Sequence, residues 1–218
     1  MKHKSIKEAL ESVLEPRSLK LSYYLCNLVN DYSSLCDLGG GSGTAWGIYV
    51  PRNVSERTVV DLYQPGLNRG LETGRYTNAV YSDILTYLND QKNEAFDVVV
   101  ATSVIEHLSS EAGAELAIEM KRVAKKIAII FTPNGFVPQP PDADNPFQEH
   151  ISGWSSDQLE LLGYKFVRGF NGLKYLRTTY GAARFKPQFI GVPLVLISAF
   201  LTRKSRRFAF EILHVATK

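Results

Sequence analysis

Cysteine is scarce in this chain: two in 218 residues, Cys26 and Cys36. They match no zinc spacing, and reduced, buried thiols are the expectation for an intracellular protein. No apolar run reaches the roughly 18 residues of a membrane span. The nearest, FIGVPLVLISAFL at 189–201, is short and carries Pro193. The N-terminal MKHKSIKEALESVLEP is charged throughout and lacks the apolar centre of a secretory signal, so a cytoplasmic protein is expected. A dominant charge is missing as well: 25 Lys and Arg against 22 Asp and Glu leave +3. Only the far C-terminal region approaches a basic stripe, so no nucleic-acid partner is expected. Internal repeats and low-complexity segments are also missing.

What is present suits one α/β domain with an appendage. Residues 5–14 and 18–30 read as two helices parted by Pro16, the second with Leu19, Tyr23, Cys26 and Val29 at helical spacing. Strands are expected at 34–38, 57–63, 76–83, 95–103, 127–133, 164–170 and 210–218. Helices are expected at 84–90, 111–126 and 155–163. The run AFDVVVATS is continuously apolar, as in a strand covered on both faces. Strands alternating with helices point to a parallel sheet with helices on both sides. Residues 136–154 form a long Pro- and Asp-rich loop of the kind that serves as a lid.

The stretch LCDLGGGSGT, 35–44, places four glycines just past a buried strand and before a helix. Such a turn lets a ligand approach the backbone near a helix N-terminus. A phosphate-binding P-loop needs Lys-Ser or Lys-Thr after the glycines, and neither follows. The dinucleotide fingerprint needs a third glycine, and Thr44 or Trp46 stands there instead. The pattern that fits is Asp37-x-Gly39-x-Gly41-x-Gly43.

DLGGGSG resembles the first motif of class I S-adenosylmethionine-dependent methyltransferases, and VVDLY, YSDIL and FDVVVATSVIEHL follow in that family's order. The resemblance covers roughly residues 33–170. It implies a Rossmann-like, seven-stranded, mostly parallel sheet with the last strand antiparallel, and S-adenosylmethionine as cofactor. It also implies that Asp61 holds the ribose hydroxyls and that Asp83 accepts from the adenine amino group, unless Asp83 serves only as a helix cap. Asp37 would reach the cofactor's amino group. Gly39, Gly41 and Gly43 would let the methionine and ribose lie against backbone, with Leu62, Ile84 and Thr102 beside them. Some related O-methyltransferases use an acidic residue three positions before the Glu106-His107 pair to help bind a divalent metal. Ser103 stands there, and no metal is expected.

His107 has two readings: it closes the loop after the fourth strand by bonding to backbone, or it is a general base for a hydroxyl substrate. His150, in the lid near Glu149 and Trp154, is the second catalytic candidate. Asn134 is expected to face the substrate pocket, and His214 the core. Residues 1–32 would be helices covering the site, and 33–218 the methyltransferase domain with an insert at 171–207. In that insert the apolar run at 189–201 precedes Arg203, Lys204, Arg206 and Arg207. This pattern fits peripheral membrane contact or a homodimer. The expected activity is methyl transfer to a small or lipid-linked acceptor at oxygen. The rival reading is a non-catalytic binding subunit of the same fold.

Overall fold

The computed structural model describes residues 19–178, 183–185 and 188–218. The expected helix at 5–14 and His3 lie outside them. Seven segments of unbroken or alternating apolar residues become strands: β1 (Ser34–Leu38), β2 (Glu56–Asp61), β3 (Asn78–Tyr81), β4 (Phe96–Thr102), β5 (Ala124–Pro133), β6 (Lys165–Leu173) and β7 (Ala209–Thr217). They form one sheet in the order β3-β2-β1-β4-β5-β7-β6. The first five pair in parallel, and β7 runs antiparallel between β5 and β6. The expected architecture is therefore observed. β5 begins three residues earlier than expected, because it follows the preceding helix with no loop between them.

The helices are α1 (Leu21–Val29), α2 (Gln64–Glu72), α3 (Ile84–Asn89), α4 (Ser110–Val123), α5 (Ser156–Leu161) and α6 (Gln188–Thr202). Successive strand residues point to opposite faces, and each face has its own core. Cys36, Leu38, Val99 and Ala101 pack with Leu88 of α3, Leu116 and Met120 of α4 and Leu159 of α5. Leu35, Val98 and Val100 pack with Leu25 and Val29 of α1 and Leu67 of α2. α1 is rotated from the expected stripe: it buries Leu25 and Val29 and leaves Tyr23 exposed.

α2 was not legible as an element. Its sequence, QPGLNRGLE, has two glycines, and in isolation they weaken a helix. Pro65 in its first turn is compatible with a helix start. The glycines make tertiary contact instead. A Cβ on Gly66 would lie 3.1 Å from the backbone of Gly41, and one on Gly70 would lie 2.7 Å from the Tyr76 ring. α2 thus presses against the glycine turn. The C-terminal ends of β1, β2 and β4 open on one edge of the sheet, where ligands bind in such folds.

Candidate functional site

The glycine turn continues the sheet before leaving it, with the Gly39 amide donating to the Val60 carbonyl at 2.7 Å. Gly39 has φ 64°, and a Cβ there would lie 2.6 Å from Val104 Cγ2. Its glycine is therefore required by the protein's own packing. Gly41 has φ 50°, and its amide donates to Asp61 Oδ2 at 2.8 Å, while Asp61 Oδ1 accepts from the Tyr63 amide at 2.8 Å. Asp61 thereby ties the turn after β1 to the turn after β2, and partial burial raises its pKa.

Asp37 sits behind the turn, almost fully buried. Its Oδ2 accepts from Trp46 Nε1 at 2.7 Å and from the Tyr76 hydroxyl at 2.5 Å. Burial pushes its pKa up to about 6, against the pull of those two bonds. Its Oδ1 has no partner among the described residues. Asp37 therefore braces the turn through two aromatic side chains, which sequence reasoning did not anticipate.

One cavity gathers most of the expected cofactor residues: Gly39, Asp61, Leu62, Asp83 and Ile84 line it, with Ser103, Val104, His107 and Leu108 opposite and Asn145, Phe147 and Gln148 from the loop. Asp37, Gly41, Gly43 and Thr102 are not in that wall. Thr102 is buried at the end of β4. Asp83 is the N-cap of α3, its Oδ1 accepting from the amides of Leu85 and Thr86, and it lines the cavity as well. The residues fit S-adenosylmethionine. A half-buried carboxylate at the end of β2 suits a ribose diol, a second carboxylate lies one strand further, and Leu62, Ile84, Val104 and Leu108 offer apolar surface to a flat base.

Past the end of β4 the chain is tightly turned. Ser103 takes φ 54°, a strained value for a residue with a side chain and one that clusters at functional sites. Glu106 is buried, its Oε2 accepting from Thr132 Oγ1 at 2.9 Å, and its Oε1 has no partner among the described residues. Burial lifts its pKa to about 7. The Glu106 carbonyl accepts from the amides of both Ile151 and Ser152, at 3.0 and 3.1 Å, clamping the 136–154 loop over the site. Trp154 anchors that loop: it is buried, and its Nε1 lies 3.3 Å from the Ile105 carbonyl. It is a packing residue and not a substrate contact.

The two histidines expected from sequence meet here, with ring centroids 4.8 Å apart. His107 Nδ1 lies 2.8 Å from the Glu149 carbonyl and His150 Nδ1 lies 2.6 Å from the Val137 carbonyl. Only a protonated Nδ1 can make those bonds, so the neutral tautomer of each ring leaves Nε2 with a lone pair. Burial lowers the pKa of His107, which favours that neutral form. The backbone role and the lone pair therefore coexist in His107. Glu106, His107 and His150 place one donor atom each within 4.8 Å of one another, donor types that can hold a divalent cation.

A second cavity adjoins the first and shares Ser103, His107 and Gln148 with it; Glu106, Gln139, His150 and Glu211 add polar groups. Glu106 and Glu211 had no assigned role from sequence; the signal available for Glu106 was a carboxylate four residues past a buried strand, beside His107. Asn134 departs from expectation. Its Nδ2 donates to the carbonyls of Arg206 and Ala209 at 3.0 and 2.9 Å, fastening β5 to the approach to β7. His214 is in the core as expected, with Nε2 2.8 Å from Ser156 Oγ.

Residues 36–132 match a family model described as a methyltransferase domain. No curated protein matches the chain. Among solved structures, a SAM-dependent methyltransferase from Archaeoglobus fulgidus is similar at TM-score 0.58 and 18% identity, covering 99% of this chain and 100% of that one. The 1,6-didemethyltoxoflavin-N1-methyltransferase of Burkholderia thailandensis, bound to 1,6-didemethyltoxoflavin and S-adenosylhomocysteine, gives 0.56 and 13%, covering 95% and 80%. The magnesium protoporphyrin IX methyltransferase of Synechocystis, with bound SAM, gives 0.51 and 12%, covering 97% and 82%. At these identities the likeness is one of fold.

Proposed function

We propose, for a chain that carries a class I S-adenosylmethionine-dependent methyltransferase domain, that the acceptor is a small or lipid-linked molecule methylated at a hydroxyl oxygen. The observation that carries this reading is the shared wall. His107 belongs both to the cavity with the cofactor carboxylates and to the polar cavity beside it. Donor side and acceptor side therefore meet at an imidazole.

When bound, S-adenosylmethionine supplies a methyl group already activated by its sulfonium. The protein's work is then alignment, exclusion of water and care of one proton. Asp61 holds the ribose hydroxyls by charge-assisted bonds, and Asp83 meets the base. His107, neutral and with Nδ1 engaged by the Glu149 carbonyl, takes the proton that an acceptor hydroxyl gives up. His150 lies against it and orients the acceptor. The polar lining of the second cavity, with Glu106, Gln139, Gln148 and Glu211, matches an acceptor bearing several hydroxyls. Phe147 borders the first cavity and Gln148 both, so this part of the loop is placed to limit water at the junction.

The test is transfer of labelled methyl from S-adenosylmethionine into extracts separated into lipid, glycan and small-molecule pools, followed by identification of the methylated atom. A methyl ether is expected, from the small-molecule or the lipid-linked pool. A product methylated only at nitrogen or carbon would overturn the oxygen assignment and leave the methyltransferase standing. Stabilisation by S-adenosylhomocysteine in a thermal shift reads cofactor binding separately.

A further inference from the structure

The segment from Leu173 to Phe210 holds eight Lys and Arg residues and no Asp or Glu, whereas the rest of the chain has 17 cationic against 22 anionic residues. α6 lies in this segment and has no charged residue along its fifteen positions. A helix on a protein surface normally turns a polar face to water. α6 does not. Its inner stripe is Val195, Ser198, Ala199 and Thr202, buried against β6. Its outer stripe is Ile190, Leu194, Ile197, Phe200 and Leu201, between 43% and 69% exposed. At 15 residues it is about 22 Å long, short of the roughly 30 Å of a hydrocarbon core. No helix among the described residues is long and apolar enough to cross a membrane.

We infer that the outer face of α6 lies on an anionic lipid surface, with its apolar stripe in the acyl boundary and its flanking cations among the headgroups. Arg203 extends over the Phe200 ring at 4.0 Å and Arg207 lies by Phe208 at 5.8 Å, so the cations sit beside exposed aromatic rings. That arrangement of apolar stripe and bordering cations is the one interfacial helices use. Arg206 is engaged elsewhere, paired with Glu160 at 2.5 Å and Asp157 at 3.7 Å. The lipid-facing cations are therefore Arg203, Lys204 and Arg207. Charge also selects the occupant. Exposed Arg184 precedes the helix and the three cations follow it. A second copy laid antiparallel on the face would bring cationic ends together, whereas anionic headgroups neutralise both ends at once.

The measurement is flotation with vesicles of phosphatidylcholine alone or with added phosphatidylglycerol. Wild type is expected to float with the anionic vesicles only, and to release at high salt, where the Debye length shrinks to about 3 Å. R203Q/K204Q/R207Q is expected to lose about 100-fold in partitioning, at about 1 kcal/mol per cationic residue. I197S/L201S alters only exposed positions, leaves the net charge unchanged and is expected to lose binding. S-adenosylhomocysteine-dependent thermal shifts in both variants report the fold and keep this question separate from methyl transfer. Wild type that stays unbound to anionic vesicles would overturn the inference. So would a stable dimer in solution that I197S/L201S dissociates.

Discussion

Asp61 has an architectural role, and the proposed function adds a ligand role. Each of its oxygens accepts a backbone amide, from Gly41 and from Tyr63, and each retains a lone pair, which the proposal assigns to a ribose hydroxyl. Asp61→Ala is expected to weaken S-adenosylmethionine binding by about 1.5–3 kcal/mol, the scale of hydrogen bonds to a charged group, with a loss of folding stability alongside. Calorimetry on the folded variant checks the first, and unchanged affinity would remove Asp61 from the site. His107→Gln is expected to lower turnover by roughly 10²–10⁴-fold while cofactor affinity holds; near-normal turnover would leave alignment alone as the source of the rate. Two buried groups shape stability against pH in opposite senses. Burial takes His214 from 6.5 to about 4, so between those values the unfolded chain holds a proton that the folded chain lacks. Stability is therefore lost as pH falls through that window, by up to about 3 kcal/mol. Glu106 rises from 4.5 to about 7, so the folded chain holds the extra proton and stability falls as pH rises between those values. The two windows overlap, so the slopes largely offset each other in the wild type, and urea midpoints at pH 5 and pH 8 separate them: H214Q should become less stable at pH 8 than at pH 5, and E106Q the reverse. At this scale the sequence revealed chemical types more readily than roles. Asp61, Asp83 and His107 were legible as candidates because motif position places them, and His150 because it falls in the long loop after β5. The Trp46–Asp37–Tyr76 brace was not, because it joins residues 39 positions apart through side chains that no local pattern links.

Among the elements, periodicity revealed strands that are buried on both faces and helices with marked ends. α5 is the clearest helix: the Gln158 amide donates to Ser155 Oγ, and Gln158 Oε1 accepts from the Ser155 amide, a reciprocal cap readable from SSDQ. Ser155→Ala is expected to cost about 1 kcal/mol in a denaturant titration. α2 escaped notice because its glycines answer to tertiary contact and not to helix propensity. Gly70→Ala makes the difference measurable. In an exposed helix that change stabilises by roughly 1 kcal/mol. Here the added methyl meets the Tyr76 ring and the Gly41 carbonyl, so the substitution is expected to destabilise and to weaken cofactor binding together. A stabilised G70A protein would mean that α2 does not press on the turn.

On the scale of the whole molecule, the order of strands in space departs from their order in the chain at two places, where β4 returns to lie beside β1 and where β7 enters before β6. β7 stands between β5 and β6, pairing with β5 from Ile127–Thr217 to Pro133–Glu211 and with β6 from Lys165–Val215 to Leu173–Ala209. The strand made last of the seven is thus the one that joins the sheet's outer third to its centre. A nascent chain that has reached residue 208 carries two open sheet edges, on β5 and on β6, with no strand between them. Each is a template for pairing with a neighbouring chain. Translation that stalls or stops short of β7 therefore yields an aggregation-prone intermediate and not a slightly smaller enzyme. The cell's quality control, rather than the active site, is where a frameshift late in this gene would first be felt.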